Sequence, residues 1–235
     1  MTGESYRPTV AFDVIGTLFT LDRPRDRLIA LGAPREALEL WFAQTLRDAF
    51  AWSHAGGYRP LKEFLEAALP RTLDSVGVEA GEETAAQVME AFAELDPVDG
   101  AEEACSVLFD AGWRILALTM GSEESTRRLL SRAGLEDRFS LFLSCDRIGK
   151  TKPHPDVYEM ARREAGPGAL WLIAAHAWDV AGASRAGLRT CWVEHLEKRY
   201  LGAYPEPDVR ASDLVDGVRR IVALEGSAAD RGGSG

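Results

Sequence analysis

Cysteine is scarce in this chain: there are three in 235 residues, at Cys105, Cys145 and Cys191. They are too scattered for a disulfide scaffold, and none forms a C-x-x-C pair. None has a His or Cys partner at ligand spacing, so a zinc site and a cysteine nucleophile both lack support. Basic runs are missing as well. A net charge of −10 with nothing basic to offset it speaks against a nucleic-acid partner. No apolar stretch is long enough to span a bilayer, and the opening residues M-T-G-E-S-Y-R-P lack the charged and apolar regions of a signal peptide. No membrane partner is expected, and a reduced, cytoplasmic protein is the default. What is present is ordinary for a soluble globular chain, 46% hydrophobic and 27% charged. The length suits one large domain or a domain with a subdomain.

The chain is organised around residues 8–20, P-T-V-A-F-D-V-I-G-T-L-F-T. Thr9 to Val14 is β-branched or apolar except for Asp13, and Gly16 follows at once. Such a run reads as a buried parallel strand feeding a tight turn. Ligands of open α/β sheets sit outside the carboxyl ends of the strands, which is where Asp13 falls. A carboxylate there is either used or caps the next turn, because burying it unpaired is costly.

Residues 21–95 read as helices, with Leu38, Trp41, Phe42, Thr45, Leu46, Ala49 and Phe50 on one helical face. Leu61, Phe64, Leu65 and Ala68 repeat the pattern. Leu69-Pro70 and Gly81-Glu82-Glu83 mark expected breaks. Beyond residue 100 the pattern alternates. Helices are expected at 101–111, 123–133, 155–165 and 180–186, with strands at 115–118, 141–143, 170–174 and 190–193. A last amphipathic helix carries Leu214, Val218, Ile221 and Val222. Alternating strands and helices imply a parallel sheet. The expected fold is α/β, a Rossmann-like core of residues 1–20 and 96–225, with a helical cap of residues 21–95 inserted after the first strand. Residues 226–235, small, polar and glycine-rich, are expected to form a disordered tail.

Later strands deliver three more groups to the edge that holds Asp13. Thr119 closes one strand, Lys152 stands in G-K-T-K-P-H-P-D-V-Y, and Asp179 follows another strand in A-A-H-A-W-D. Each has a plainer reading: a turn hydroxyl, a solvated lysine, a helix N-cap. Their order along the chain favours convergence.

These residues resemble the haloacid dehalogenase superfamily. Asp13-Val14-Ile15-Gly16-Thr17-Leu18 is similar to its first motif, D-x-x-G-T-L, whose leading Asp is the nucleophile. Thr119 matches the second-motif Ser/Thr, Lys152-Pro153 the third-motif lysine and Asp179 an acid of the fourth motif. The resemblance spans nearly the whole chain, including the position of the cap. Phosphatases of this superfamily carry an acid two residues after the nucleophile and G-D-x-x-x-D in the fourth motif, which helps hold Mg²⁺. Here those positions are Ile15 and Ala175. A hard divalent ion needs several oxygen ligands, including carboxylates, so no metal and no other cofactor is expected.

The L-2-haloacid dehalogenase branch is more similar still, through Ala177-Trp178-Asp179 and Tyr158. The resemblance implies a small-molecule substrate, a 2-haloacid, and a covalent aspartyl ester on Asp13 formed and hydrolysed without metal. Lys152 would keep Asp13 ionised, Thr17 and Thr119 would orient it, and Asp179 would position Lys152 and the hydrolytic water. Ile15, Met120, Tyr158 and His176 would border the substrate. Members of the branch often pair as dimers, so the resemblance admits a homodimer, while the sequence by itself fixes no subunit number. Departures remain: Thr119-Met120 stands for Ser-Asn, Ala174 and His176 for Ser and Asn, and Phe42 for the halide-binding cap arginine. Arg47 is the nearest substitute for that arginine, or a solvated cap residue. His176 either holds or deprotonates water, or is satisfied in the strand-to-helix turn. Alternatives to the dehalogenase are a hydrolase of another small substrate, such as a phosphate ester, and a catalytically inactive binding relative.

Overall fold

A computed structural model describes residues 7–79 and 81–232. The run Thr9–Phe12 forms strand β1, every residue of it buried. It is followed by helices α1 (Asp22–Ala30), α2 (Ala37–His54), α3 (Leu61–Ser75) and α4 (Glu82–Phe92). Strands and helices then alternate: α5 (Ala101–Asp110), β2 (Arg114–Thr119), α6 (Glu123–Arg132), β3 (Leu141–Ser144), α7 (Pro155–Ala165), β4 (Leu170–Ala174), α8 (Ala177–Arg185), β5 (Arg189–Val193), β6 (Val209–Ala211) and α9 (Leu214–Gly232). The strands form one sheet in the order β3-β2-β1-β4-β5-β6, parallel throughout. β1 is central because its residues are apolar on both faces, which only a strand covered on both sides tolerates. The chain moves outward from β1 to β3, then returns to β4 on the other flank of β1. The crevice between the carboxyl ends of β1 and β4 is therefore the switch point of the sheet, where α/β folds bind ligands.

The helices between β1 and α5 bury an apolar face of their own. Leu38, Trp41, Thr45, Leu46 and Ala49 of α2 are buried. The Trp41 indole donates to the Leu65 carbonyl of α3 at 2.9 Å and meets the Phe92 ring of α4 edge-on at 5.3 Å. Aromatic side chains of this helical unit reach the sheet's carboxyl edge. Phe42 stacks on His176, Phe50 packs edge-on against Trp178, and the Tyr58 hydroxyl donates to Asp146 at 2.5 Å.

Most expected elements are present, with five differences. α3 continues through Pro70 instead of breaking there. Leu65, Leu69, Thr72 and Leu73 keep one buried stripe across the proline, and that packing outweighs the lost hydrogen bond. α8 begins at Ala177, three residues earlier than expected, because a carboxylate (Glu197 Oε2) accepts the Ala177 N–H at 3.0 Å. β1 ends at Phe12, although the Asp13 N–H still bonds the Ile173 carbonyl at 3.0 Å. The edge strand β6 was not anticipated, since three residues are too few to show a period. The tail expected to be disordered from residue 226 is helical as far as Gly232, because extending an existing helix adds a hydrogen bond per residue at little entropic cost. Residues 233–235 lie outside the described ones.

Replacing Trp41 by Ala empties the contact between α2, α3 and α4. Urea denaturation should show a loss of about 3–5 kcal/mol, as a lower midpoint with the slope unchanged.

Candidate active site

The β1 run ends in a carboxylate, and the turn behind it brings a hydroxyl back to the same point. Gly16 has φ +83°, a left-handed conformation that glycine adopts without penalty. A Cβ there would also lie 2.9 Å from His176 Nε2. The turn places Thr17 so that its Oγ1 accepts the Ala175 N–H at 2.9 Å and donates to Asp13 Oδ2 at 2.7 Å. With one lone pair engaged by a backbone donor, the hydroxyl's only proton faces Asp13. That fixes the orientation of the carboxylate and favours its ionised form.

Lys152 lies opposite. Its ammonium is 2.9 Å from Asp13 Oδ1 and 2.7 Å from Asp179 Oδ2, with Lys152 and Asp179 fully buried and Asp13 5% exposed. The other Asp179 oxygen receives the Tyr158 hydroxyl at 2.6 Å. Burial works against the charged form of each group. In Lys152 the two carboxylates override it and raise the ammonium above its usual range. In Asp13, burial is overridden by Lys152, His176 and Thr17, which hold the carboxyl below its ordinary value. In Asp179, burial and the Asp13 charge win and raise it. Tyr158, buried beside Asp179, is pushed well above its ordinary value and stays a donor. Gly182 makes this packing possible, because a Cβ there would sit 2.5 Å from Pro153 Cβ and 2.6 Å from the Tyr158 hydroxyl.

Asp13, Thr17, Lys152, Asp179 and Tyr158 thus form one connected cluster. Tyr158 is wholly buried and braces Asp179. Thr119 lies at the same edge, but its hydroxyl oxygen accepts the Gly121 N–H at 2.9 Å, a turn role, and the hydrogen bond expected with Asp13 is not seen. Ile15 and Met120 line a cavity of about 760 Å³. Its far wall is Leu61, Leu65 and Leu69 of α3 with Met89 and Phe92 of α4. Asp13 does not line this cavity; it lies one step behind Ile15. Arg47 stands apart: its side chain is exposed and paired with Asp48 at 2.8 Å. It follows Thr45 by two residues, about 200° round the helix from the buried face, so it cannot take the place of the arginine expected near Phe42. Phe42 instead lays its ring on the His176 imidazole, with centroids 6.0 Å apart.

His176 is 5% exposed and sandwiched by Phe42 and Trp178, the latter at 5.1 Å. Its Nε2 is 3.1 Å from the Ile15 carbonyl and 4.0 Å from Asp13 Oδ2. Its Nδ1 is 3.7 Å from Glu197 Oε1. Burial pulls its pKa down, but Glu197, Asp13 and the Ile15 carbonyl together lift it above the ordinary imidazole value. Glu197 was not among the expected site residues; it sits in E-H-L-E-K-R-Y after β5, where no periodicity or motif marks it. His154 caps α7, its Nδ1 accepting the Asp156 N–H at 3.2 Å. The thiols of Cys105, Cys145 and Cys191 are buried and pushed up to about 12, which suits packing and not nucleophilic attack.

Gly182→Ala should force Tyr158 away from Asp179. Thermal denaturation is expected to show a loss of about 1–3 kcal/mol, with activity falling further than stability because the brace on Asp179 is displaced.

Known proteins resemble this chain in sequence and in fold. The chain is 29% identical over 234 residues to the (S)-2-haloacid dehalogenase of Pseudomonas sp. (strain YL), covering 98% of this chain and 99% of that one. The structure of the L-2-haloacid dehalogenase from Xanthobacter autotrophicus superposes with a TM-score of 0.83 at 24% identity, covering 92% of this chain and 99% of that one. A structure of the same enzyme with chloropropionic acid covalently bound gives 0.79 at 22% identity, covering 92% and 98%. A family model described as haloacid dehalogenase-like hydrolase matches residues 8–187, a span that holds β1 to β4 and Asp13, Thr17, Lys152, Tyr158 and Asp179, and the chain belongs to that family.

Proposed function

We propose that the protein hydrolyses the carbon–halogen bond of a small 2-haloacid through a covalent ester on Asp13. The observation that carries this reading is Asp13 itself, an ionised carboxylate held by one ammonium and one hydroxyl at 2.9 and 2.7 Å. An Asp13 oxygen attacks the carbon that bears the halogen, forming a C–O bond as halide departs with the bonding electrons. Water then adds to the ester carbonyl. The C–O bond made from the water stays on Asp13, the alcohol leaves with the substrate's carbon and the original oxygen, and one proton is released. Lys152 keeps the carboxylate anionic before attack, and Asp179, braced by Tyr158, fixes Lys152. Ile15 and Met120 offer the apolar wall for the substrate's alkyl part. The helical unit of residues 21–95 acts as a cap that excludes water through Phe42, Phe50 and Tyr58. The covalently bound chloropropionic acid in the Xanthobacter autotrophicus structure supports the same chemistry here.

The donor set is a poor fit for a divalent cation. Asp13 and Asp179 are both bonded to the Lys152 ammonium. The positions that supply further acids in the phosphatases are Ile15, an alkyl side chain, and Ala175, a fully buried methyl. A Mg²⁺ ion requires near-octahedral oxygen coordination, and a fixed ammonium occupies the space between the carboxylates that would provide it. The proposed reaction therefore runs without metal.

Repeated turnover in ¹⁸O-water is expected to leave label on Asp13, found by mass spectrometry of the peptide that contains it. Halide release from a panel of 2-haloacids, fluoroacetate included, should be the same with and without chelator. Label absent from Asp13 while product forms would overturn the covalent route, and phosphate-ester cleavage dependent on Mg²⁺ would replace it.

The acid side of the rate profile belongs to Asp13. Its pKa lies below the ordinary carboxylate value, and only the anion attacks. Ester formation should therefore hold level through mildly acidic pH and fall only as pH drops through that lowered value. Rapid-quench measurement of the Asp13 ester against pH checks this.

A further inference from the structure

The buried site carries an odd charge count. Asp13 and Asp179 each meet a donor on both oxygens, an arrangement that suits two carboxylates, and Lys152 neutralises only one of them. A net negative charge in a dry cleft is strongly disfavoured unless another cation stands beside it. The only other basic group within 4.0 Å of Asp13 among the described residues is His176.

Both nitrogens of that ring face oxygen. A carbonyl only accepts, so the Ile15 contact at 3.1 Å requires a proton on Nε2. The opposite nitrogen, Nδ1, faces the Glu197 carboxylate at 3.7 Å. Nε2, carrying that proton, has no lone pair to offer as a base, and Nδ1 is aimed at a carboxylate. We propose that His176 is a resident imidazolium and not a general base, that Glu197 is the residue that positions it, and that this pair supplies the site's second positive charge. The assignment rests on the reading of Asp13 as the nucleophile, and it deepens that reading: with Phe42 where the resembled family has a cap arginine, the cation that faces an anionic substrate comes from the core.

The surroundings of the ring are consistent from every side. From the β1 turn it meets Asp13 and the Ile15 carbonyl, and the bare Cα of Gly16 lets it approach. From the segment after β5 it meets Glu197. From α2 and α8 it meets the faces of Phe42 and Trp178, and an aromatic face favours a cation over a neutral ring. The nearby His195 bonds the Gly16 carbonyl at 2.9 Å, and burial depresses its pKa, so it stays neutral and does not oppose the charge. Glu197 also accepts the Ala177 N–H at the start of α8. One carboxylate thus ties the imidazolium to the helix that carries Asp179.

Glu197→Gln separates charge from shape, because its amide oxygen still accepts the Ala177 N–H. With ¹³Cε1-labelled histidine, the resonance missing from His176→Asn (or His176→Gln, should the first not fold) is expected to titrate above the ordinary imidazole value and to move down in Glu197→Gln. With 2-chloropropionate as probe, kcat should fall as pH rises through that midpoint. In Glu197→Gln the fall should begin at lower pH and cost roughly tenfold on the alkaline side. A His176 midpoint at or below the ordinary value, or one unmoved in Glu197→Gln, overturns the proposal. So does a kcat that rises with pH through the midpoint, which is the signature of a base. The expected titration with no haloacid consumed would support the imidazolium while failing the substrate reading, so the two are tested apart.

Discussion

A fully buried ammonium between two carboxylates is the constraint on which the rest of the site depends. Lys152 is fully buried, and removing either partner would leave a charge unpaired at a cost of several kcal/mol. Three strand ends must therefore keep their register to within about an ångström. The sheet order makes this possible, since β1 and β4 are direct neighbours and their carboxyl ends form the crevice. Asp13 leaves the first strand, Asp179 enters the first turn of α8 after β4, and Lys152 arrives from the segment before α7. Tyr158, one turn into α7, completes the bracing from the far side of Asp179.

The helical insertion contributes shape and dryness, not charge. Its contacts with the sheet edge are aromatic at Phe42 and Phe50, with a hydrogen bond from Tyr58 at the rim. Its one arginine near the expected position, Arg47, is turned outward and spent on Asp48. Apolar rings over the cluster lower the local dielectric and strengthen each charge pair beneath. They also make any uncompensated charge harder to keep, which is why the balance between Asp13, Asp179, Lys152 and His176 has to be settled within the core.

The legible parts of this molecule are those where local pattern and tertiary role coincide. β1, β4 and the helix at 155–165 could be read because apolar runs and glycine punctuation report burial directly. Asp13, Lys152 and Asp179 could be expected at one edge because each follows an apolar strand in the alternation, whereas Thr17 entered only through the motif D-x-x-G-T-L that the chain resembles. Pro70 misled because a local rule yielded to packing on both sides of it. Thr119 was placed at the right edge, yet a hydroxyl's partner is decided by the nearest backbone donor, here Gly121, and a one-dimensional pattern does not show that. Glu197 left no mark: it follows β5 in an irregular stretch, and only the fold brings it to the base of α8. The cap arginine was sought by proximity along α2, but helical phase, not sequence distance, decides which side chains face the core.

The donor arrangement around Asp13 also bears on reactivity. An ionised carboxylate has about four lone-pair sites, and each short hydrogen bond that stabilises the anion also withdraws electron density from attack. Asp13 receives one such bond per oxygen, from Lys152 and from Thr17, so a lone pair remains open on each. His176, at 4.0 Å, lies beyond direct bonding distance and adds positive potential without occupying a lone pair. The site thereby keeps Asp13 anionic through charge more than through coordination, which is the condition a carboxylate needs to attack carbon.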